Sequence, residues 1–177
     1  MKIRVEGLSD RPLHLAAREP VSDFPALSEL QVNGDCSFLE PLQLDFTAAR
    51  EFDHIRVRGR IETKVRYKCS RCLAEYDTAL CAEFTIFYTK AAKTPLEEEI
   101  ALKEEDLLSA SYEGDTIDFT NEVEEQVLME IPLKPLCRED CKGLCGTCGA
   151  DLNNGECECA RNAAGFTFSA LKDFKVK

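Results

Sequence analysis

The sequence predicts an α+β protein: an antiparallel, barrel-like β core with one packed helix, followed by a C-terminal cysteine-rich zinc-binding module. Three observations predict it. A run from His54 to Lys68 alternates apolar and charged residues and is answered by a second alternating run. Phe119, Val123, Val127 and Ile131 recur every four residues, the spacing of one helix face. Eight of the ten cysteines stand in close pairs, six of them beyond residue 136.

The elements follow in order. A short strand candidate covers Ile3 to Leu8, and a stretch containing Pro12, Pro20 and Pro25 comes next. Asn33-Gly34 signals a turn. From Leu42 the period becomes two: Leu42, Leu44 and Phe46 alternate with Gln43, Asp45 and Thr47. In the long run, Ile55, Val57, Ile61 and Val65 share one face with Gly59, where a bend or bulge is expected. Arg56, Arg58, Arg60, Lys64 and Arg66 occupy the other face. Cys69-Ser70-Arg71-Cys72 forms the tip of the expected hairpin. Its returning strand carries Tyr76, Leu80, Phe84, Ile86 and Tyr88 on one parity. One register serves both faces. It sets Arg66 against Glu75, Lys64 against Asp77 and Arg58 against Glu83. On the apolar side it sets Val65 against Tyr76, Ile61 against Leu80, Val57 against Phe84 and Ile55 against Ile86.

Beyond Lys90, Glu97-Glu98-Glu99 and Glu104-Glu105-Asp106 indicate a solvated connection or a short helix. The helix at about 119–131 has Asp118 or Thr120 as its cap. Glu122, Glu124 and Glu125 lie in its first turns, where the helix dipole favours anions. Pro132 stops it. Three segments result: an N-terminal strand and loop (1–35), the β core with its helix (36–133), and the cysteine-rich module with the tail (134–177).

Bulk properties narrow the function. Charge precedes any apolar run at the start, and no uncharged stretch approaches the roughly 18 residues of a membrane span. A cytoplasmic location is expected. Thiols stay reduced there, so dense cysteines imply metal ligands rather than disulfides. The formal net charge of −11 argues against a generic nucleic-acid binder, because phosphates reward positive charge.

The ligand set is Cys69, Cys72, Cys137, Cys141, Cys145, Cys148, Cys157 and Cys159. Tetrahedral zinc takes four thiolates, so eight ligands fill two structural sites. The preferred partition gives Cys145, Cys148, Cys157 and Cys159 one ion, closing a short loop. Cys69, Cys72, Cys137 and Cys141 hold the other, clamping the hairpin tip to the segment after the helix. Gly149, following Cys148, allows a positive φ there. Catalytic zinc is disfavoured: the two histidines, His14 and His54, lie outside the motif. Cys141-x3-Cys145-x2-Cys148 has the spacing of radical iron–sulfur enzymes, but it arrives late in too short a chain. A non-radical iron–sulfur cluster is the competing assignment, and a metalloenzyme is a remoter one. Cys36 and Cys81 fall outside the pairs and are expected to be small apolar residues, with Cys81 partly exposed.

No phosphate-binding loop, catalytic triad or small-molecule substrate site is legible, and no enzyme is expected. A nucleic-acid contact, if present, falls to Arg56, Arg60, Lys68 and Arg71, the cations left over by the ion-pair ladder. The acidic stretch from Glu97 to Glu125 offers a different partner, a basic ribosomal protein or an RNA-processing enzyme.

Tyr67-Lys68-Cys69-Ser70-Arg71-Cys72-Leu73 forms part of a larger pattern. Ile131-Pro132-Leu133-Lys134-Pro135-Leu136-Cys137 comes next, then Cys141-Lys142-Gly143-Leu144-Cys145-Gly146-Thr147-Cys148-Gly149, and Phe168-Ser169-Ala170-Leu171-Lys172 closes it. In that order they resemble the YceD-like family, the large ribosomal RNA accumulation proteins, from about residue 40 onward. The resemblance implies a bacterial, cytoplasmic, non-catalytic role in synthesis, processing or accumulation of 23S ribosomal RNA. The partner it implies is precursor RNA or an RNA–protein intermediate.

Overall fold

The computed structural model describes residues 2–8, 11–91 and 109–161. The chain divides into two compact units. Met1–Tyr67 with Asp77–Leu133 form the first, and Lys68–Tyr76 with Lys134–Lys177 form the second. The acidic segment expected to be a connection or short helix lies outside the described residues, as does the motif from Phe168 to Lys172.

Among its described residues the first unit holds eight strands and two α-helices. Strands β1 (Lys2–Arg4) and β8 (Thr116–Asp118) make a small antiparallel pair. The main sheet comprises β2 (Leu13–Glu19), β3 (Cys36–Phe38), β4 (Leu42–Glu51), β5 (His54–Lys68), β6 (Glu75–Lys90) and β7 (Ser109–Tyr112). Its order is β2-β4-β5-β6-β7, with β3 also pairing β5. Helices α1 (Pro25–Asn33) and α2 (Thr120–Glu130) complete it.

Three features depart from the expected architecture. The strand path does not close into a barrel among the described residues. The sheet is mixed, because β7 pairs β6 in parallel. Among the described residues there are two α-helices, not one. Helix α1 begins with Pro25 at its first turn, where a missing N–H costs nothing. Asn33-Gly34 is its end: Gly34 has φ of +79° and donates its N–H toward the carbonyls of Leu30 and Gln31. Ala26 N–H donates to the Glu124 carboxylate of α2 at 2.9 Å, so an anion from one helix caps the other.

Strand β5 follows the alternation. Ile55, Val57, Ile61 and Val65 are buried, while Arg58, Arg60, Lys64 and Arg66 are exposed. Each such aliphatic side chain contributes about 1.5–3 kcal/mol on burial. Across β5 and β6 the expected ion pairs are replaced. Arg66 bonds Asp77 at 2.6 Å, not Glu75, and Arg60 bonds Glu83 at 2.7 Å, not Arg58. Both differ from the expected register by two residues in the same sense. A two-residue slip preserves which face each side chain occupies, so alternation alone could not detect it. The hairpin turn decides: Cys69 N–H donates to the Ala74 carbonyl at 2.8 Å.

Gly59 makes no bulge, since Phe46 pairs it in regular register. A Cβ there would lie 2.2 Å from the Phe84 ring and 2.6 Å from the Phe46 ring. The glycine is the space those rings occupy. Phe46 packs against Phe84 at 5.7 Å and Phe119 at 5.9 Å, and Tyr88 against Phe119 at 5.5 Å. This aromatic seam joins the sheet to α2, whose Val123 and Val127 are fully buried. Asp118, just before α2, accepts hydrogen bonds from the Thr120 N–H and hydroxyl. Cys36 is buried, and burial followed by the nearby Asp35 pushes its thiol up. Cys81 is exposed.

Candidate metal centres

None of the ten cysteines is in a disulfide. The eight paired ones gather in two sets, Cys69, Cys72, Cys137 and Cys141, and Cys145, Cys148, Cys157 and Cys159. Within each set every sulfur lies within 4.8 Å of the others. Four thiolates about 2.3 Å from one ion stand about 3.8 Å apart at the corners of a tetrahedron. Cys69 Sγ and Cys141 Sγ are 3.8 Å apart, and Cys72 Sγ and Cys137 Sγ 3.7 Å. A disulfide would bring them to about 2 Å. The donor set therefore fits one tetrahedral, thiophilic ion per set, and zinc suits it.

Two turns with the same hydrogen bonds build the sites. At the hairpin tip Leu73 N–H donates to the Cys69 carbonyl at 2.9 Å, Cys69 N–H to Ala74, and Arg71 N–H points to Cys69 Sγ at 3.5 Å. Around Cys145, Gly149 N–H donates to the Cys145 carbonyl at 2.8 Å, Cys145 N–H to Ala150, and Thr147 N–H points to Cys145 Sγ at 3.4 Å. Amides aimed at sulfur stabilise thiolate. The Cys69 thiol is held down to about 6 by the Cys72 amide first, and Cys145 to about 6 by the Cys148 amide first. Burial and the neighbouring thiols push Cys137 up to about 12. The first set thus holds one ready anion, Cys69, beside Cys137, whose ionisation a bound cation would favour.

The turns differ at one position. Gly149 has φ of +73°, as a tight turn asks, but the first turn places Leu73 there at φ of +61°. Leu73 is half exposed.

The sets also differ in surroundings. Cys69, Cys72 and Cys141 are buried, with Tyr76, Leu136, Cys137 and Leu144 packed around them. Cys148 is exposed and its three companions are half-buried. Arg71 brackets the first set. Its carbonyl accepts the Leu144 N–H at 3.1 Å, and its Nη1 donates to the Cys141 carbonyl at 2.8 Å. Gly143, at φ of +77°, lets the chain pass against the Arg71 backbone. Ser70 N–H donates to the Pro135 carbonyl at 2.8 Å.

Asn153 touches the first set, a contact that cysteine spacing alone does not reveal. Its Nδ2 points to Cys141 Sγ at 3.5 Å, and its Oδ1 accepts the Lys142 N–H at 2.9 Å. Asp151 holds it by accepting both of its nitrogens. The Asp151-Leu152-Asn153-Asn154 run, an Asx-type turn before Cys157, was the available signal.

The four cations singled out for nucleic acid are placed as follows. Arg56 pairs with Glu51, and Arg60 binds both Glu62 and Glu83. Both belong to the first unit. Lys68 and Arg71 belong to the second. Lys68 is exposed, and Arg71 is engaged with the carbonyls of Glu139 and Cys141. Asp53-His54 sits at the β4–β5 turn, with His54 Nδ1 3.2 Å from Asp53 Oδ1.

A family model described as large ribosomal RNA subunit accumulation protein YceD matches residues 57–175, which include all eight paired cysteines. An uncharacterized protein of Mycobacterium leprae is 30% identical over 63% of this chain and 49% of its own length. The large ribosomal RNA subunit accumulation protein YCED homolog 1, chloroplastic, of Zea mays is 28% identical over 72% of this chain and 52% of its own. Its namesake in Arabidopsis thaliana is 26% identical over 68% and 44%. The chain spans about half the length of these curated relatives. No solved structure matches it. No helix among the described residues is long and apolar enough to cross a membrane.

Proposed function

The chain belongs to the YceD family of large ribosomal RNA subunit accumulation proteins, and from that membership we propose a non-catalytic, cytoplasmic ribosome-biogenesis factor whose second unit is organised by two structural zinc ions. The role is to support synthesis, processing or accumulation of 23S ribosomal RNA. One observation carries the reading: the matched region contains both four-sulfur sets, so family and metal module coincide. Four thiolates complete a tetrahedral shell and leave no position for water or substrate, as in structural sites. Sulfurs within 4.8 Å suit a single ion better than a cluster whose several irons hold the thiolates further apart. When bound, zinc would supply cross-linking: Cys69 and Cys72 are separated from Cys137 and Cys141 by some 65 residues or more of chain.

The test is a strain depleted of this protein and complemented with wild-type or cysteine-variant copies. Loss of 23S relative to 16S ribosomal RNA on depletion, restored by wild type but not by Cys72→Ser, is expected. Unchanged 23S levels on depletion would refute the role, and full rescue by Cys72→Ser would refute the need for the metal. Direct RNA contact through Arg56, Arg60, Lys68 and Arg71 is less supported, since the three guanidiniums already have partners. A salt titration with purified protein and precursor RNA tests it.

A further inference from the structure

Helix α2 carries two stripes. Val123 and Val127 are buried against the sheet. Beside them Glu122, Glu125 and Met129 follow at helical spacing and face a groove of about 660 Å³ along β6. Phe84 and Ile86 of β6 supply the apolar part, and Glu83 stands at the rim. Among the described residues no lysine or arginine lines this groove, whereas the grooves on the sheet's charged face contain Arg58, Arg60 or Arg18.

The groove keeps an apolar side chain and an anion open to solvent. Met129 is 75% exposed although apolar. Glu122 Oε2 is buried beside the Tyr88 hydroxyl, whereas Glu125 is exposed and faces solvent. Neither Glu122 nor Glu125 makes an ion pair among the described residues. Exposed apolar atoms ringed by carboxylates of one sign suit a ligand that is both cationic and apolar. A thioether adapts to varied partner side chains.

We propose that this groove docks a basic, amphipathic peptide segment of another protein, its apolar side chains against Phe84, Ile86 and Met129 and its lysines or arginines against Glu122 and Glu125. Nucleic acid does not fit, because phosphates would meet the Glu122 and Glu125 carboxylates and, among the described lining residues, no cation. The proposal is independent of the zinc sites and of the ribosomal RNA role: a peptide can bind while 23S levels ignore the protein, and the reverse.

The experiment titrates the full-length, metal-loaded protein with a fluorescent short peptide alternating lysine with leucine. A counterpart with glutamine for lysine and a single-stranded RNA oligonucleotide serve as comparisons. Glu122→Gln with Glu125→Gln is expected to weaken the lysine peptide about tenfold, with retained folding shown by a cooperative unfolding transition. Met129→Gln, at an exposed position that does not endanger folding, is expected to weaken both peptides. Equal binding by the double carboxylate variant, equal binding of the glutamine peptide, or displacement of the peptide by RNA at the groove would overturn the proposal.

Discussion

Breaking one metal set at a time should have unequal consequences, and the structure gives the size of the inequality. Cys72→Ser opens the first set, whose ligands Cys72 and Cys137 are 65 positions apart. Cys159→Ser opens the second, whose two halves, ending at Cys148 and starting at Cys157, are separated by only a short loop. A cross-link restrains the unfolded chain by about 4 kcal/mol for a loop of that first length and about 3 kcal/mol for roughly ten residues. The first set is also the buried one, so its loss exposes Cys69, Cys141 and the packing of Leu136 and Leu144. Cys72→Ser should therefore destabilise the second unit by over ~1 kcal/mol more than Cys159→Ser. Hydrogen exchange read by mass spectrometry resolves the two. The Ser70 and Leu144 amides, bonded to Pro135 and Arg71, should lose protection in Cys72→Ser and keep it in Cys159→Ser. The Cys145 and Gly149 amides should do the opposite. Both pairs of amides losing protection together in either variant would refute the assignment of independent sites.

Other consequences follow from single residues. Gly59→Ala puts a methyl into the Phe84 and Phe46 rings and should cost about 1–3 kcal/mol, read by denaturant unfolding. Gly149→Ala meets no atom within 4 Å, so its cost of about 1 kcal/mol comes from φ alone and should appear as faster zinc loss to a chelator. Asp118 gives a pH signature. Burial raises its pKa, but the Thr120 hydrogen bonds outweigh this and hold it at about 2. A carboxyl depressed by folding stabilises above its ordinary value near 4 and loses that contribution as pH falls toward 2. Asp118→Asn should flatten the acid limb of the unfolding curve over that window.

Much of this was legible in the sequence because it rests on local rules. The His54–Lys68 strand is where the alternation puts it, with the expected faces buried and exposed. Helix α2 starts within a residue or two of its expected place, because Asp118 and Pro132 act on their neighbours. The partition of the eight cysteines coincides with the two gathered sets. The failures have physical causes. The ladder register depends on hydrogen bonding at the hairpin turn, and alternation is blind to a shift of two. Helix α1 was missed because Pro25 and Asn33-Gly34 were read as loop and turn, though both are also helix-end signals. Arg71 looked like a surface cation next to a turn, yet its guanidinium donates to carbonyls from residues 68 and 70 positions away. Gly59 was read through its backbone, whereas what the site requires is the absence of a side chain under two aromatic rings.

Two four-sulfur sets require a metal stoichiometry of two ions per chain. Elemental analysis of freshly purified, reduced protein, paired with the absorption spectrum of its cobalt-substituted form, measures it directly. The expected result is two zinc ions per chain, tetrahedral thiolate bands from both sites, and a second unit that becomes protease-sensitive when the metal is stripped. A single ion, iron in place of zinc, or a stripped protein that keeps its protection would contradict it.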